Sequence, residues 1–442
     1  MSKKKENITG IVKCKDGNIC FFEDNYIFTF MRNELSNNEY VIKPKGGYIH
    51  GKTHDNHSIL IPYHSEINLY SVSRLKTYMY LYGNNNVNNT ELDDFNVIVF
   101  KGGTLNLLQI CNALKHDLGQ MEDGKFIYEF QNNAIEFDFI FDNSKCHVTI
   151  YSNISEHSGI TGIGLKNEDI ILTIEFDEKQ ALDTISFHIG RIKQILSILT
   201  YRKNVGFDEI IIRDNVDEIY KTNTANIFLH EDQEFTKRHL FNNLTFMQLG
   251  NRASKFFEIV YNLKENKPNY DFNFIPDNDK DSNYYTSEKI RNIASALECE
   301  MEFIKIPQEQ NDDLNDLIKN VKQLVKAHKR ENSSLEERTY TSIFNNISHW
   351  KMSETERIWY MFLQYQEAMC ILLNCEPTHC KTSIEKFVKH RNGTTHGRHQ
   401  ILDSEIVDIA YGLSGLVYCF FLSRIGFTTD EINNLFRNNF LM

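Results

Sequence analysis

The sequence has no long hydrophobic run. Although 41% of its 442 residues are hydrophobic, no stretch of 18 consecutive apolar residues occurs, so we expect no transmembrane helix. The first residues, MSKKKENITG, are basic but lead into no apolar segment, which argues against a secretory signal peptide. We therefore expect a globular, cytoplasmic protein that binds no membrane and holds two or three domains.

Closely paired cysteines are also missing. Nine cysteines occur, but none forms a Cys-x-x-Cys pair and they make no dense framework, which favours reduced thiols. The densest group of candidate metal ligands comprises Cys370, Cys375, His379 and Cys380. Because Cys370 falls in an apolar helical stretch, where a free cysteine behaves as a small hydrophobic residue, we predict neither a metal site nor a cofactor.

The chain lacks an excess of positive charge. Its formal net charge is -12, so any RNA-binding surface must be local. Residues 386–400 reverse the sign, because they contain four cations, namely Lys386, Lys389, Arg391 and Arg398. The same stretch holds three histidines, namely His390, His396 and His399. This local concentration of basic residues predicts an anionic ligand.

Within that stretch, four residues separate Arg391 from His396. The residues before Arg391 form an apolar helical stripe, made of Ile384, Phe387 and Val388. Since Arg391 continues the stripe, its guanidinium is predicted to point toward a packed interface. Asn392-Gly393 predicts the end of the helix, because glycine readily takes the left-handed cap conformation. An unbroken helix would separate Arg391 and His396 by about 140°, whereas a break at Gly393 could bring them together.

An arginine beside a histidine suits phosphodiester cleavage without a metal ion. Guanidinium binds the non-bridging oxygens and stabilises the charge that develops on the phosphate. Imidazole can take a proton from a ribose 2'-OH or give one to the leaving oxygen, which makes RNA the expected substrate. The alternative is that these basic residues only pair with a helix dipole, and an Arg-x4-His pattern also occurs by chance.

The N-terminal region, residues 1–280, is predicted to be β-rich. Short segments of β-branched and aromatic residues, such as NYIFTFM and NVIVF, are separated by Gly, Asn and Asp, which is typical of sandwich-like antiparallel sheets. Helices are expected at 105–118, 178–200 and 254–263. His188 has no metal-ligand or triad spacing, and we interpret it as structural.

A sequence in this region, GGYIHGKT at residues 46–53, satisfies the pattern of a nucleotide-binding P-loop. A P-loop must open directly into a helix, whereas the residues that follow, HDNHSILIP, indicate a turn and another strand. We therefore prefer a glycine-rich connection between strands. A P-loop ATPase stays open as an alternative and would depend on Lys52.

The hydrophobic period becomes helical after a polar segment at 262–284, so residues 285–442 predict a helical bundle and the fold class is α+β. Thr286 is expected to cap the first helix, and another covers 312–330. Ser353 opens an apolar helix to about Leu373, expected at the bundle centre. On it, Glu367 either orients the motif or pairs elsewhere in the bundle. A long helix at 401–424 carries two glycines for close helix approach, Gly412 and Gly415.

Two parts of the chain are similar to known families. The spacing of Arg391 and His396, in a C-terminal run of helices, resembles the Arg-x4-6-His signature of HEPN domains, which are all-helical, metal-independent ribonucleases. In the N-terminal region, TGIVKCKDGNICFFEDN (9–25) and GGYIHGKTHDNHSILIPYHSE (46–66) resemble the ApeA group of bacterial abortive-infection proteins, which act against phages.

The resemblance implies a ribonuclease domain at 285–442 and an ApeA-type sensor or regulatory domain at 1–280. Arg391 and His396 would form the catalytic pair, with Asn392 as the polar residue after the arginine. Family members usually dimerise with two motifs facing across one cleft, so we expect a homodimer through the helical domain. A phage-derived trigger is implied as a further partner.

Two functions follow from these observations. The first is a metal-independent RNA endonuclease of anti-phage defence, with tRNA as one candidate substrate and three further cations as RNA-binding residues, namely Lys386, Lys389 and Arg398. The second is a non-catalytic protein whose helical domain only dimerises or binds RNA, while the β-rich domain recognises a phage protein or another ligand.

Overall fold

The structure of the protein is a computed structural model. It describes residues 8–14, 17–32, 40–69, 72–84, 94–108, 121–122, 125–126, 134–159, 162–215, 222–231, 244–263, 272–278, 280–281, 284–303, 312–331, 335–348, 353–374, 376–395 and 401–439. The chain divides into two compact units. The N-terminal unit comprises Met1–Asn262 and Pro276–Asp279, and the C-terminal unit comprises Leu263–Ile275 and Lys280–Met442.

The described strands all belong to the N-terminal unit. They are β1 Thr9–Cys14, β2 Gly17–Asp24, β3 Ile27–Arg32, β4 Tyr40–Ile42, β5 Tyr48–Thr53, β6 Ser58–Pro62, β7 Ile67–Leu69, β8 Val72–Lys76, β9 Met79–Asn84, β10 Asp94–Lys101, β11 Met121–Glu122, β12 Lys125–Phe126, β13 Ile135–Phe141, β14 Ser144–Gly159, β15 Gly162–Ala181, β16 Glu209–Asn215 and β17 Thr222–Leu229. The helices are α1 Ile185–Thr200, α2 Phe246–Leu249, α3 Ala253–Tyr261, α4 Ser287–Met301, α5 Asp312–Glu331, α6 Glu337–Ser348, α7 Glu354–Gln364, α8 Gln366–Leu373, α9 Pro377–Thr395, α10 Ser404–Ile425 and α11 Thr429–Asn439. The protein is therefore α+β, as predicted.

Thirteen strands form one antiparallel sheet in the order β13-β14-β15-β10-β16-β17-β9-β6-β5-β1-β2-β3-β8. Two hairpins in it turn through two residues that both have positive φ, Asn25-Tyr26 between β2 and β3 and Asp142-Asn143 between β13 and β14. Such turns match the right-handed twist of the flanking strands. The remaining pairs are β4-β7 and β11-β12, each a sheet of two strands.

The P-loop-like sequence lies within this sheet. Gly46 and Gly47 form a turn with φ of 57° and 81°, and β5 then pairs antiparallel with β6. A Cβ added at Gly51 would lie 2.9 Å from Cγ2 of Ile59, so the glycine permits close contact within the sheet. No helix follows Thr53, and the preference for a glycine-rich strand connection is confirmed.

Helices α1 and α3 pack with one another, and α3 also covers β13. The predicted helices 178–200 and 254–263 correspond to α1 and α3, although α1 begins only after strand β15 ends at Ala181. Of the helix predicted at 105–118, the structure describes a 3-10 turn at Gly103–Leu107, and residues 109–118 lie outside the described residues.

His188 on α1 is fully buried in an aromatic cage. Its ring lies between 4.7 and 6.0 Å from the ring centroids of five residues, namely Phe95, Phe141, Phe176, Phe187 and Tyr261. Neither ring nitrogen has a hydrogen-bond partner within the described chain. This burial lowers the pKa of His188 to about 4, so the imidazole is neutral in the folded protein. The prediction of a structural histidine agrees with this placement.

Acid is expected to destabilise the N-terminal unit through His188. Its pKa is about 4 when folded and about 6.5 when unfolded, so the unfolded chain alone binds the proton between these values and stability falls as the pH drops. Between pH 7 and pH 5 the free energy of unfolding should fall by about 2 kcal/mol more in the wild type than in His188→Phe. Urea unfolding at both pH values measures this difference. The exposed-site control, His54→Gln, should behave as wild type; an equal pH dependence in His188→Phe would contradict the prediction.

Helix α10 is the central helix of the C-terminal unit and packs against α4, α8, α9 and α11. It is long and apolar enough to cross a membrane, since an 18-residue window has a mean hydropathy of 1.7, but 78% of that window is buried inside the protein. Burial of this kind is typical of a core helix. The prediction placed the apolar helix after Ser353 at the bundle centre, and this was wrong: that segment is broken at Tyr365 into α7 and α8.

The glycines of α10 allow α8 to approach closely, as predicted. A Cβ added at Gly412 would lie 2.7 to 2.8 Å from three side-chain atoms of Leu373, and one at Gly415 would lie 2.4 Å from Cδ2 of Leu372. Leu373 would therefore have to move to accommodate any side chain at position 412.

Gly412→Ala is expected to destabilise the protein by about 1–2 kcal/mol, because the clash with Leu373 outweighs the gain in helix propensity. The matched control is Gly190→Ala on α1, where an added Cβ meets nothing within 4 Å. That change should instead stabilise by about 0.5–1 kcal/mol. Urea unfolding followed by circular dichroism compares the two, and equal effects of the same sign would contradict the packing argument.

Candidate functional site

The predicted motif begins on α9. Pro377 occupies the first helical position, where its missing N–H costs no hydrogen bond. The predicted apolar stripe of Ile384, Phe387 and Val388 is buried, and α9 packs against α4, α7 and α10. Arg391 lies one turn further along the same face, so the helix delivers its side chain between neighbouring helices.

The predicted break at Gly393 is wrong. Gly393 is buried and helical, and α9 continues to Thr395. One reason is that Thr394 donates its hydroxyl to the carbonyl oxygen of Arg391 at 2.9 Å, which satisfies a backbone acceptor near the end of the helix. His396, Arg398 and His399 lie in residues 396–400, outside the described residues. The distance between Arg391 and His396 therefore stays a prediction.

The Arg391 guanidinium forms ion pairs with two carboxylates. Its Nη2 donates to Oε1 of Glu298 on α4 and to Oε1 of Glu354 on α7. Its Nη1 donates to Oδ1 of the adjacent Asn392 at 3.1 Å. The side chain is only 18% exposed, which confirms that Arg391 points into a helix interface. Three helices thus fix the position of one guanidinium.

Glu354 is positioned by the start of α7. Ser353 caps that helix through the predicted capping box with Glu356, and Glu354 follows it as the first helical residue. Burial raises the pKa of the Glu354 carboxyl above its usual value, while the Arg391 guanidinium opposes the rise. The nearby Glu298 carboxylate adds to the rise. One guanidinium therefore balances two acids, one of which is largely removed from water.

Glu367 does not contact Arg391. Its Oε2 accepts a hydrogen bond from Asn433 at 2.9 Å, and its Oε1 pairs with Arg437, both on α11. The interpretation of Glu367 as a partner of another bundle residue is confirmed. The sequence did not reveal Glu298 and Glu354 as the partners of Arg391. They lie 93 and 37 positions before it in the chain, so no local sequence pattern connects them with it.

The predicted RNA-binding lysines lie on other faces of α9. At about 100° per residue, Lys386 and Lys389 lie about 140° and 160° round the helix from Arg391. Lys386 bonds to Glu405 of α10, which raises the pKa of its ammonium group. Lys389 is exposed. The described part of the site thus concentrates less free positive charge than the sequence indicates.

His390, one residue before Arg391, is buried with an exposure of 2%, and neither ring nitrogen has a hydrogen-bond partner among the described residues. Burial lowers the pKa of its imidazole, and the Asp403 carboxylate opposes that effect. His390 is therefore a neutral interior residue of the bundle.

No group of three metal-ligating side chains is found in the described part of the chain. Cys380 is buried and its thiol points to the carbonyl oxygen of Glu376 at 3.6 Å, as expected of a hydrophobic cysteine. Cys375 lies outside the described residues. Comparison with known proteins yields no matching family model, no matching curated protein and no matching solved structure.

Proposed function

We propose that the C-terminal unit is a HEPN-type, metal-independent RNA endonuclease that acts in anti-phage defence by abortive infection. Arg391 binds the scissile phosphate, and His396 transfers protons. Asn392 helps to orient the guanidinium, to which it already bonds. The substrate is RNA, with tRNA as one candidate.

The position of Arg391 carries the proposal. A guanidinium that is 18% exposed and fixed by groups from α4 and α7 has few rotamers to lose when it binds a phosphate. It lies in the last turn of α9, a few residues before the segment that contains His396. Transesterification of RNA requires a preorganised cation beside an imidazole, and we propose His396, five residues after Arg391 in the sequence, as that imidazole.

The chemical step uses the RNA's own 2'-OH. His396 takes the proton of that hydroxyl while the 2'-oxygen attacks the phosphorus, and the bond from phosphorus to the 5'-oxygen breaks. Arg391 stabilises the negative charge on the non-bridging oxygens. The leaving 5'-oxygen takes a proton from a second imidazole, supplied by His396 of a second copy in a homodimer. The products carry a 2',3'-cyclic phosphate and a 5'-OH.

In this proposal the β-rich N-terminal unit senses a phage-derived trigger and restrains the nuclease until the trigger arrives. Release of the nuclease would stop translation and phage growth. This sensing role is supported by the resemblance of residues 9–25 and 46–66 to ApeA proteins. In this protein the first segment forms strands β1 and β2, and the second forms strands β5 and β6.

A second candidate function rests on the same ion pairs. Glu298 and Glu354 together offset the charge of Arg391, as in a structural cluster that only holds α4, α7 and α9 together. The helical unit would then dimerise or bind RNA without cutting it. Growth arrest on overexpression separates the two functions, because only a nuclease loses this effect in His396→Ala.

The direct test incubates the purified full-length protein with total RNA in EDTA. We expect cleavage products ending in 2',3'-cyclic phosphate from the wild type and none from His396→Ala. The matched control is His379→Ala, an exposed histidine on α9, which should cleave as the wild type does. Absence of cleavage by the wild type, or equal cleavage by His396→Ala, would overturn the nuclease proposal.

A further inference from the structure

Helix α5 carries a basic face that lies outside the Arg391–His396 motif. Between Lys319 and Arg330 it holds five cations and no acid, in a chain whose net charge is -12. The cations are Lys319, Lys322, Lys326, Lys329 and Arg330. This is a denser run of positive charge than the predicted site on α9 contains.

Three of these cations line up on one side of α5. At about 100° per residue, Lys319, Lys326 and Arg330 fall within an arc of about 40°. With a rise of about 1.5 Å per residue they span about 16 Å of the helix. All three side chains are exposed, and none forms an ion pair with another residue of the described chain. We call Lys319, Lys326 and Arg330 the α5 basic stripe.

A side of α5 about 100° round the helix from the stripe is held against the protein. Ile318 is buried there, and α6 packs on α5. Lys329, at the flank, pairs with Glu337 of α6, and His328 lies 3.0 Å from the Tyr340 hydroxyl. These contacts fix the rotation of α5, so the α5 basic stripe stays on the surface.

The cations of α5 and α9 differ in whether carboxylates already pair with them, and this difference indicates the kind of ligand. On α9 the cations Lys386 and Arg391 are already engaged by carboxylates, namely Glu405, Glu298 and Glu354. The α5 basic stripe has exposed cations in a row, which suits a polymer that repeats negative charge along a line. The first two turns of α5 carry two exposed acids, Asp313 and Asp316, so this polymer would lie toward the C-terminal half of the helix.

We propose that the α5 basic stripe binds the phosphate backbone of the RNA substrate, apart from the cleavage site at Arg391 and His396. The inference rests on the proposed nuclease function and adds the surface on which the RNA docks. Because the contacts are to phosphates, binding depends on salt and not on base sequence.

The test measures binding of a fluorescent 2'-O-methyl oligouridylate of about 20 nucleotides, which lacks the attacking hydroxyl and cannot be cleaved by the proposed route. The stripe variant combines Lys319→Gln, Lys326→Gln and Arg330→Gln in the full-length protein. Each lost phosphate contact lowers the salt slope by about 0.7, so we expect a decrease of about 2 and roughly a hundredfold weaker binding at 0.1 M salt.

A matched control removes the same charge elsewhere, through Lys13→Gln, Lys76→Gln and Lys255→Gln at exposed positions of the N-terminal unit. It should bind as the wild type does. Unchanged affinity and salt slope in the stripe variant, or the same loss in the control, would overturn the inference. Loss of a dimer with unchanged RNA affinity would assign the face to a protein partner and likewise overturn it.

Cleavage assays separate this inference from the nuclease proposal. If the wild type binds the oligonucleotide through the stripe but cleaves no RNA, the docking surface stands and the nuclease proposal fails. If the wild type cleaves RNA and the stripe variant does so with unchanged KM, the nuclease proposal stands and the docking surface is wrong.

Discussion

Arg391→Ala is expected to lower the rate of RNA cleavage by about 10²- to 10³-fold, with a smaller effect on KM. The reason is that the guanidinium stabilises charge that develops on the phosphate only in the transition state. Single-turnover cleavage of RNA in EDTA measures the rate. The control is Lys381→Ala, which removes an exposed cation from the same helix, outside the predicted RNA-binding residues, and should cost far less.

The ion pairs of Arg391 require a second variant, since Arg391→Ala leaves Glu298 and Glu354 close together without their shared cation. Arg391→Lys keeps a positive charge beside both acids but lacks the planar fork that grips two phosphate oxygens. If Arg391 binds phosphate, the lysine variant stays folded yet cleaves slowly. Wild-type cleavage by Arg391→Lys, with unfolding of Arg391→Ala, would give the arginine a structural role only.

The sequence predicted the local structure of the helical unit because its signals are short-range. Thr286 caps α4 by accepting from the Lys289 N–H at 3.1 Å, and the capping box at Ser353 forms at the start of α7. Strands were equally recognisable as segments. The order of the strands in the sheet could not be predicted. For example, β10 lies between β15 and β16, and such pairings depend on contacts between distant parts of the chain.

The site was harder to predict than the fold. The direction of Arg391 followed from a helical stripe, but its partners Glu298 and Glu354 become neighbours only after three helices pack. Gly393 was misread because the sequence pattern does not reveal that the helix is supported by its neighbours, where burial outweighs the low helix propensity of glycine. In the same packed bundle, Glu367 pairs with Asn433 and Arg437 of α11 and not with Arg391.

Arg424→Met is expected to destabilise the C-terminal unit by about 3–5 kcal/mol, because it removes the cation from a buried ion pair. Nη2 of Arg424 on α10 lies 3.1 Å from Oε1 of Glu300 on α4, and Glu300 is only 1% exposed. The guanidinium also packs against the rings of Phe303 and Phe421, at 5.4 and 5.3 Å from their centroids. Urea unfolding measures the loss. The exposed pair of Lys386 with Glu405 offers a control, since Lys386→Met should cost far less.

A double variant distinguishes loss of charge balance from loss of packing. Glu300→Met combined with Arg424→Met replaces the pair by two apolar chains of similar length, so no buried charge is left over. If the cost of Arg424→Met comes from losing the cation beside the Glu300 carboxylate, the double variant should recover most of the lost stability. If it comes from the contacts with Phe303 and Phe421, the double variant should be at least as unstable as the single one. Recovery would mean that the pair adds little net stability of its own, and that the cost of Arg424→Met comes from removing the cation that faces Glu300.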